Sequence, residues 1–136
     1  MRTPKLAYVV EDDAITSAIT KLIVKKNLQF GEVQTYVNGQ RALDRLTAAL
    51  REGTDAVPDL ILLDLNMPLM DGWEFLDAFA DLALTKDVCV FILTSSIHPD
   101  DIDKARDYKE VRGYFSKPLD TSNLARMQEL FQEGYD

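Results

Sequence analysis

Leu60, Ile61, Leu62 and Leu63 form an unbroken apolar run between Pro58-Asp59 and Asp64. Four successive large aliphatics leave no face for water. The run therefore reads as a strand buried on both sides, the kind found in parallel sheets covered by helices. It ends abruptly in Asp64, after which Asn66, Pro68, Asp71 and Gly72 break the strand and start a helix. In open α/β sheets, ligands bind in the crevice beyond the carboxyl ends of the strands, which gives an acid at this point a functional address. The plainer alternative is an aspartate that caps a helix or forms a turn.

Similar units recur along the chain. Leu6–Val10 is a β-rich run stopped by Glu11-Asp12-Asp13, and Ile15, Ala18, Ile19, Leu22 and Ile23 follow at helical spacing with Asp13 as the cap. A second strand is expected over Glu32–Val37, with a helix marked by Ala42, Leu43, Leu46, Ala49 and Leu50 and broken at Gly53. The helix after Asp64 should turn Trp73, Leu76, Phe79 and Ala80 inward. Val88–Thr94 is a fourth strand, apolar up to its last residue, and Cys89 within it reads as an inert core thiol. Pro99, at a natural first helical position, is followed by Asp100 and Asp101, which favour a helix start. This fourth helix, expected to reach about Tyr108, offers only Ile102 and Ala105 to a core and should be weakly anchored. A fifth strand over Gly113–Ser116 and a helix with Leu124, Met127, Leu130 and Phe131 complete the series.

Five strand–helix units without repeats or linkers predict a doubly wound α/β fold with a parallel five-stranded sheet. The flavodoxin-like order 2-1-3-4-5 is the commonest arrangement for five such units. The 136 residues suit one domain over 1–136 with no output domain, and 46% hydrophobic with 28% charged residues is ordinary for a globular chain. The net charge of −8 disfavours nonspecific nucleic-acid or anionic-membrane binding. A lone cysteine makes no internal disulfide, so a cytoplasmic setting is expected, and no run approaches the about 18 apolar residues of a membrane span.

In the 2-1-3-4-5 order the first and third strands are neighbours, so Glu11, Asp12 and Asp64 converge. Three carboxylates in one crevice repel one another, and a hard divalent cation relieves this; Mg²⁺ usually takes one or two carboxylates with waters and phosphate oxygens. Thr94 and Lys117 at the ends of the fourth and fifth strands add a hydroxyl and a mobile ammonium suited to phosphate. This set fits phosphoryl transfer to a carboxylate. It does not fit Ser/His chemistry, because the only histidine, His98, lies beyond the strand end and reads as a loop or cap residue.

EDD after the first strand, LLDLNMPLMDG around the third, LTSS closing the fourth and GYFSKP at the fifth resemble the receiver domain of bacterial response regulators (CheY-like), in order, from about Leu6 to Phe131. The resemblance implies a single-domain regulator of two-component phosphorelay signalling rather than an enzyme. Asp64 would be the phosphoacceptor, taking its phosphoryl group from a phosphohistidine of a sensor histidine kinase or histidine phosphotransfer protein. Asp12 and Asp64 would ligate Mg²⁺, Asn66 would add its backbone carbonyl, and Glu11 would act through water. Lys117 would neutralise phosphoryl oxygens, and Lys117–Pro118 would be a cis peptide. Thr94 and Tyr114 would be the switch pair, small Ser95 would leave the site open, and Asn66 and Ser96 fall at positions that tune dephosphorylation. An unidentified downstream protein would read the face made by the fourth helix, fifth strand and fifth helix.

Three rivals separate cleanly. An aspartate-nucleophile phosphohydrolase wants a second aspartate two residues after the first as acid and base, and Asn66 occupies that place. A flavin-binding domain of this fold needs a hydroxyl- or glycine-rich phosphate loop where the chain has EDD. A receiver-like interaction module that is never phosphorylated would show no Mg²⁺ dependence.

Overall fold

Five parallel strands, β1 (Leu6–Val10), β2 (Glu32–Tyr36), β3 (Leu60–Asp64), β4 (Cys89–Thr94) and β5 (Val111–Ser116), lie in the order β2-β1-β3-β4-β5. They alternate with α1 (Ala14–Asn27), α2 (Gly39–Glu52), α3 (Gly72–Ala80), α4 (Pro99–Ala105) and α5 (Thr121–Gln132). This is a computed structural model, and it describes residues 4–82, 84–95 and 97–133. The flavodoxin-like order expected from the alternation is the order observed. No helix among the described residues is long and apolar enough to cross a membrane.

The sheet separates two cores. Ile61 and Leu63 of β3 join Ala42 and Leu46 of α2, Phe75, Leu76 and Phe79 of α3 and Ala105 of α4 on one face. Leu60 and Leu62 join Val24 of α1 and Met127 and Phe131 of α5 on the other. The period-two alternation of a strand produces this division. It also explains the unbroken apolar runs, since every residue of β1, β3 and β4 is buried.

Caps set the helix starts. Asp13, Asn38, Asp71, His98 and Asp120 each accept a hydrogen bond from a backbone N–H of the first turn. At α3 the cap is reciprocal, Asp71 with Glu74, so two otherwise orphaned donors are satisfied. Gly53 ends α2 with φ +117°, a conformation that side chains disfavour. The boundaries shift slightly from expectation: β2 stops at Tyr36, β4 starts at Cys89, α4 ends at Ala105 and β5 starts at Val111. Arg112 is an extra residue on β5, because Val90 pairs with Val111 and Phe91 with Gly113.

Two helices face differently from the sequence expectation. In α1 the buried residues are Ser17, Thr20 and Val24, whereas Ile15, Ile19 and Leu22 are 71%, 52% and 70% exposed. Val24, Leu28 and Phe30 are anchored in the core and fix the rotation of the helix, which draws small Ser17 and Thr20 against the sheet. In α3, Phe75 is buried with Leu76 and Phe79, Trp73 is half-buried and Ala80 is exposed. Ile102 of α4 is only half-buried.

At the amino edge of the sheet, Lys86 Nζ donates to the carbonyls of Thr54 (2.9 Å) and Val57 (2.7 Å) and pairs with Asp59 at 3.0 Å. The other Asp59 oxygen accepts from the N–H groups of Lys5 and Leu6, both at 3.1 Å. One ammonium thus ties the α2–β3 connection to the start of β1. Lys86→Met keeps the stem but strands the Asp59 carboxylate, and should lower unfolding free energy by about 2–3 kcal/mol. Urea denaturation of the two proteins measures this.

The short α4 is clamped to α3 by aromatic contacts. Lys104 Nζ lies 4.7 Å from the centre of the Trp73 ring, Tyr108 stacks on that ring at 5.8 Å, and the Tyr108 hydroxyl donates to Asp77 at 2.7 Å. The hydrogen bond to the Asp77 carboxylate, and then burial, push the Tyr108 phenol up to about 12. A phenol raised above its usual value of about 10 binds its proton more tightly in the folded chain. Its stabilising effect is therefore complete below that value and lost as pH climbs toward about 12. Trp73, the sole tryptophan, reports this: quenching by the adjacent phenolate should set in at lower pH in Asp77→Asn than in wild type.

Candidate functional site

β1 and β3 are hydrogen-bonded neighbours, so their carboxyl ends present Glu11, Asp12 and Asp64 together. One ligand oxygen from each lies within 4.8 Å of the others. Glu11 and Asp64 are 5% and 6% exposed, while Asp12 is open to solvent. Desolvation by its neighbours, and then contact with Glu11, raise the Asp12 pKa above its ordinary value. Crowded negative charge of this kind is what a divalent cation neutralises. The donor set is all oxygen, which fits Mg²⁺ and offers nothing to a thiophilic metal.

Lys117 completes the cluster from the end of β5. Its Nζ is hydrogen-bonded to Glu11 Oε1 and lies 3.5 Å from Asp64 Oδ2. The direct Glu11–Lys117 pair differs from what the family resemblance implies, a water-mediated metal role for Glu11 and a phosphoryl role for Lys117. Glu11 Oε2 accepts from Asp13 N at 3.2 Å, so both Glu11 oxygens have partners within the chain. That engagement suits an outer rather than a direct position around a cation. Asp64 Oδ1 accepts from Asn66 N at 3.2 Å, which orients the carboxyl and leaves Oδ2 toward Lys117. The turn reading of Asp64 is thus partly correct, yet this turn also aims the carboxylate into the crevice.

Strand alternation divides the site between the two faces of the sheet. Val9 and Leu62 point to the α1/α5 side, as does Phe115, and continuing that phase carries Glu11, Asp64 and Lys117. Val90 and Ile92 point to the α2/α3/α4 side, which carries Thr94, and Tyr114 packs there as well. Thr94 is 1% exposed, and its carbonyl accepts from Lys117 N at 2.8 Å, joining the ends of β4 and β5 directly. The Tyr114 hydroxyl is buried with no hydrogen-bond partner among the described residues, and burial, then the Asp101 charge, raise its pKa. Lys117–Pro118 is cis, as expected. Ser95 and Asn66 are exposed at the rim, and Ser96 lies outside the described residues.

Gly72 allows the β3–α3 connection to be this tight. A Cβ there would meet Leu65 Cα at 2.8 Å and the Asp64 carbonyl oxygen at 2.9 Å. In the same loop Leu69 holds φ +69°, and it is 87% exposed.

Fold and crevice together define a doubly wound domain with an acidic site at its topological switch point and a lysine set against it. The chain belongs to the response regulator receiver domain family, which it matches over residues 7–129. It is 33% identical over 134 residues to a probable methanogenesis regulatory protein, FilR2, of Methanothrix harundinacea, covering 96% of this chain and 83% of that one. A two-component response regulator from Cytophaga hutchinsonii superposes with a TM-score of 0.85 at 28% identity, covering 97% of this chain and all of the other. The phosphorylated cyanobacterial phytochrome response regulator RcpA does so at 0.73 and 29% identity, covering 96% and 93%. The family is one of regulatory proteins.

Proposed function

We propose that this receiver domain takes a phosphoryl group on Asp64 from a phosphohistidine of a sensor kinase or histidine phosphotransfer protein. The observation that carries this reading is the Asp64 carboxylate, oriented by Asn66 N and set beside Lys117 within the acid trio. An Asp64 oxygen attacks phosphorus, the bond from phosphorus to the imidazole nitrogen breaks, and the imidazole leaves with the electron pair and takes up a proton. Asp12, Asp64 and the Asn66 carbonyl would hold Mg²⁺ directly and Glu11 through water, and the ion would shield the charge of acceptor and phosphoryl oxygens. Lys117 would leave part of its pairing with Glu11 to meet a phosphoryl oxygen.

Thr94, Ser95 and Tyr114 would read the new charge. The Thr94 hydroxyl moves toward the phosphoryl group, and the Tyr114 ring, with an unsatisfied hydroxyl, repacks against α4. The face of α4, β5 and α5 then changes its affinity for a downstream protein, the usual form of a local charge event with a distant readout.

Intact-mass analysis after incubation with acetyl phosphate, with and without Mg²⁺, tests the reading. A single phosphoryl adduct that requires Mg²⁺ is expected. A folded protein that gains no adduct would instead be a receiver used only for binding, and steady phosphate release from small esters would make it a phosphohydrolase.

A further inference from the structure

α3 and α4 are held in unlike ways. α3 buries Gly72, Phe75, Leu76 and Phe79, closes its start with the Asp71–Glu74 cap, and follows β3 through the tight turn at Gly72. It is therefore tied to the strand that carries Asp64. α4 has seven residues and buries only Ala105. It is joined to α3 through side chains at its carboxyl end, which meet Trp73 or the residue one turn further along α3. Lys104 Nζ lies 4.7 Å from the centre of the Trp73 ring, Tyr108 stacks on the same ring at 5.8 Å, and the Tyr108 hydroxyl donates to Asp77 at 2.7 Å. Lys104 and Asp77 are exposed, and Trp73 and Tyr108 are half-buried. Contacts at a wet surface can open without leaving a cavity, which close-packed core contacts cannot. Tyr108 also links α4 to β5. Its N–H donates to the Ala105 carbonyl at 3.1 Å, and its own carbonyl accepts from Val111 N at 3.0 Å. β5 carries Tyr114, whose buried hydroxyl has no partner among the described residues.

From this arrangement we propose that the clamp of Trp73, Asp77, Lys104 and Tyr108 is a latch that holds α4 in its unphosphorylated position, an inference that rests on the acceptor role given to Asp64. Trp73 and Asp77 are its fixed half, on the helix tied to the acceptor strand. Lys104 and Tyr108 are its moving half, at the end of a helix with one buried side chain. A contact made in the resting arrangement and broken in the switched one opposes whatever drives the switch, by the free energy of that contact. Coupling is reciprocal, so opening the latch lets a phosphoryl group, or an ion that mimics it on Asp64, bind more tightly. The ring and polar side-chain contacts of these four residues lie within the clamp itself. They are positioning residues, acting on the acceptor through α4 and β5. Their strength would set how much phosphorylation is needed to release the α4, β5 and α5 face.

The test uses beryllium fluoride with Mg²⁺, a phosphoryl mimic whose binding to a carboxylate is an equilibrium. Calorimetry gives its affinity for wild type, Tyr108→Phe, Asp77→Ala and the double variant. Phenylalanine keeps the stack on Trp73, and alanine suits an exposed helical position, so all three variants should fold. Each single variant should bind the mimic about fivefold more tightly than wild type. The double variant should gain no more than either single one, because both changes remove the same hydrogen bond. Tyr108→Phe leaves the charge of the chain unaltered, so its gain would not come from removing an acid. Nor would damage to the fold produce one, since damage weakens binding. In wild type the Trp73 emission should change as the mimic saturates the site, because the ring parts from Tyr108 and Lys104. Unchanged or weaker binding by the single variants, additive gains in the double one, or constant Trp73 emission in saturated wild type would overturn the latch. Wild type that neither binds the mimic nor is labelled by acetyl phosphate would instead remove the acceptor reading beneath it.

Discussion

Asp64→Asn should yield a folded protein that takes up no phosphoryl group from acetyl phosphate, with or without Mg²⁺. The amide has the shape of the carboxyl and can still accept from Asn66 N, so the turn after β3 survives. It cannot act as the attacking oxygen. The substitution also removes one of three crowded negative charges while loosening the 3.5 Å contact with Lys117, two effects of opposite sign. Net stability should therefore change by no more than about 1 kcal/mol, as read from urea denaturation. Mg²⁺ affinity should fall, since two carboxylates remain in place of three. An adduct on the variant would move the acceptor to another residue, and an unfolded variant would make Asp64 a structural group.

Gly72→Ala should be strongly destabilising. The new Cβ would meet backbone, Leu65 Cα at 2.8 Å and the Asp64 carbonyl at 2.9 Å, and neither can swing aside as a side-chain tip would. Either α3 retreats from β3 or the end of β3 bends. The expected cost is about 3 kcal/mol, at the upper end of ordinary overpacking, with a slower phosphorylation rate because the strain falls on the acceptor's own carbonyl. Gly53→Ala is the control. A Cβ there meets nothing within 4 Å, and only φ +117° opposes it, so its cost is a local backbone strain of about 1–3 kcal/mol with no effect on labelling. Thermal melts and adduct mass on both variants separate a clash at the site from a strained turn elsewhere.

The topology and the converging acids were legible because they depend on features the chain states locally. A continuous apolar run can be buried only on two faces, and a strand order then decides which strand ends meet. Glu11, Asp12 and Asp64 were brought together by that reasoning alone. The rotation of α1 was not legible. Ile15, Ile19 and Leu22 make a better apolar stripe than Ser17, Thr20 and Val24, yet the latter face the sheet, because Leu28 and Phe30 beyond the helix anchor its phase. Hydrophobic periodicity marks an amphipathic helix but does not say which of its sides the core will cover. Phe75 was passed over for the converse reason: in a nine-residue helix with apolar residues on most sides, sequence spacing does not choose among Trp73, Phe75 and Ala80. The Glu11–Lys117 and Asp59–Lys86 pairs join residues far apart in sequence, and neither carries a local signal.

The extra residue at Arg112 divides β5 into two stretches with different tolerance for change in length. From Gly113 onward, pairing with β4 fixes which face each side chain takes, so losing one residue between Phe115 and Lys117 would send the ammonium to the wrong side of the sheet. Before Gly113 the ladder is already out of step, and a residue gained or lost in the α4–β5 connection can be taken up at the bulge. Insertions and deletions during divergence should therefore collect on the α4 side of Arg112, while the count of residues from Gly113 to Lys117 stays constant.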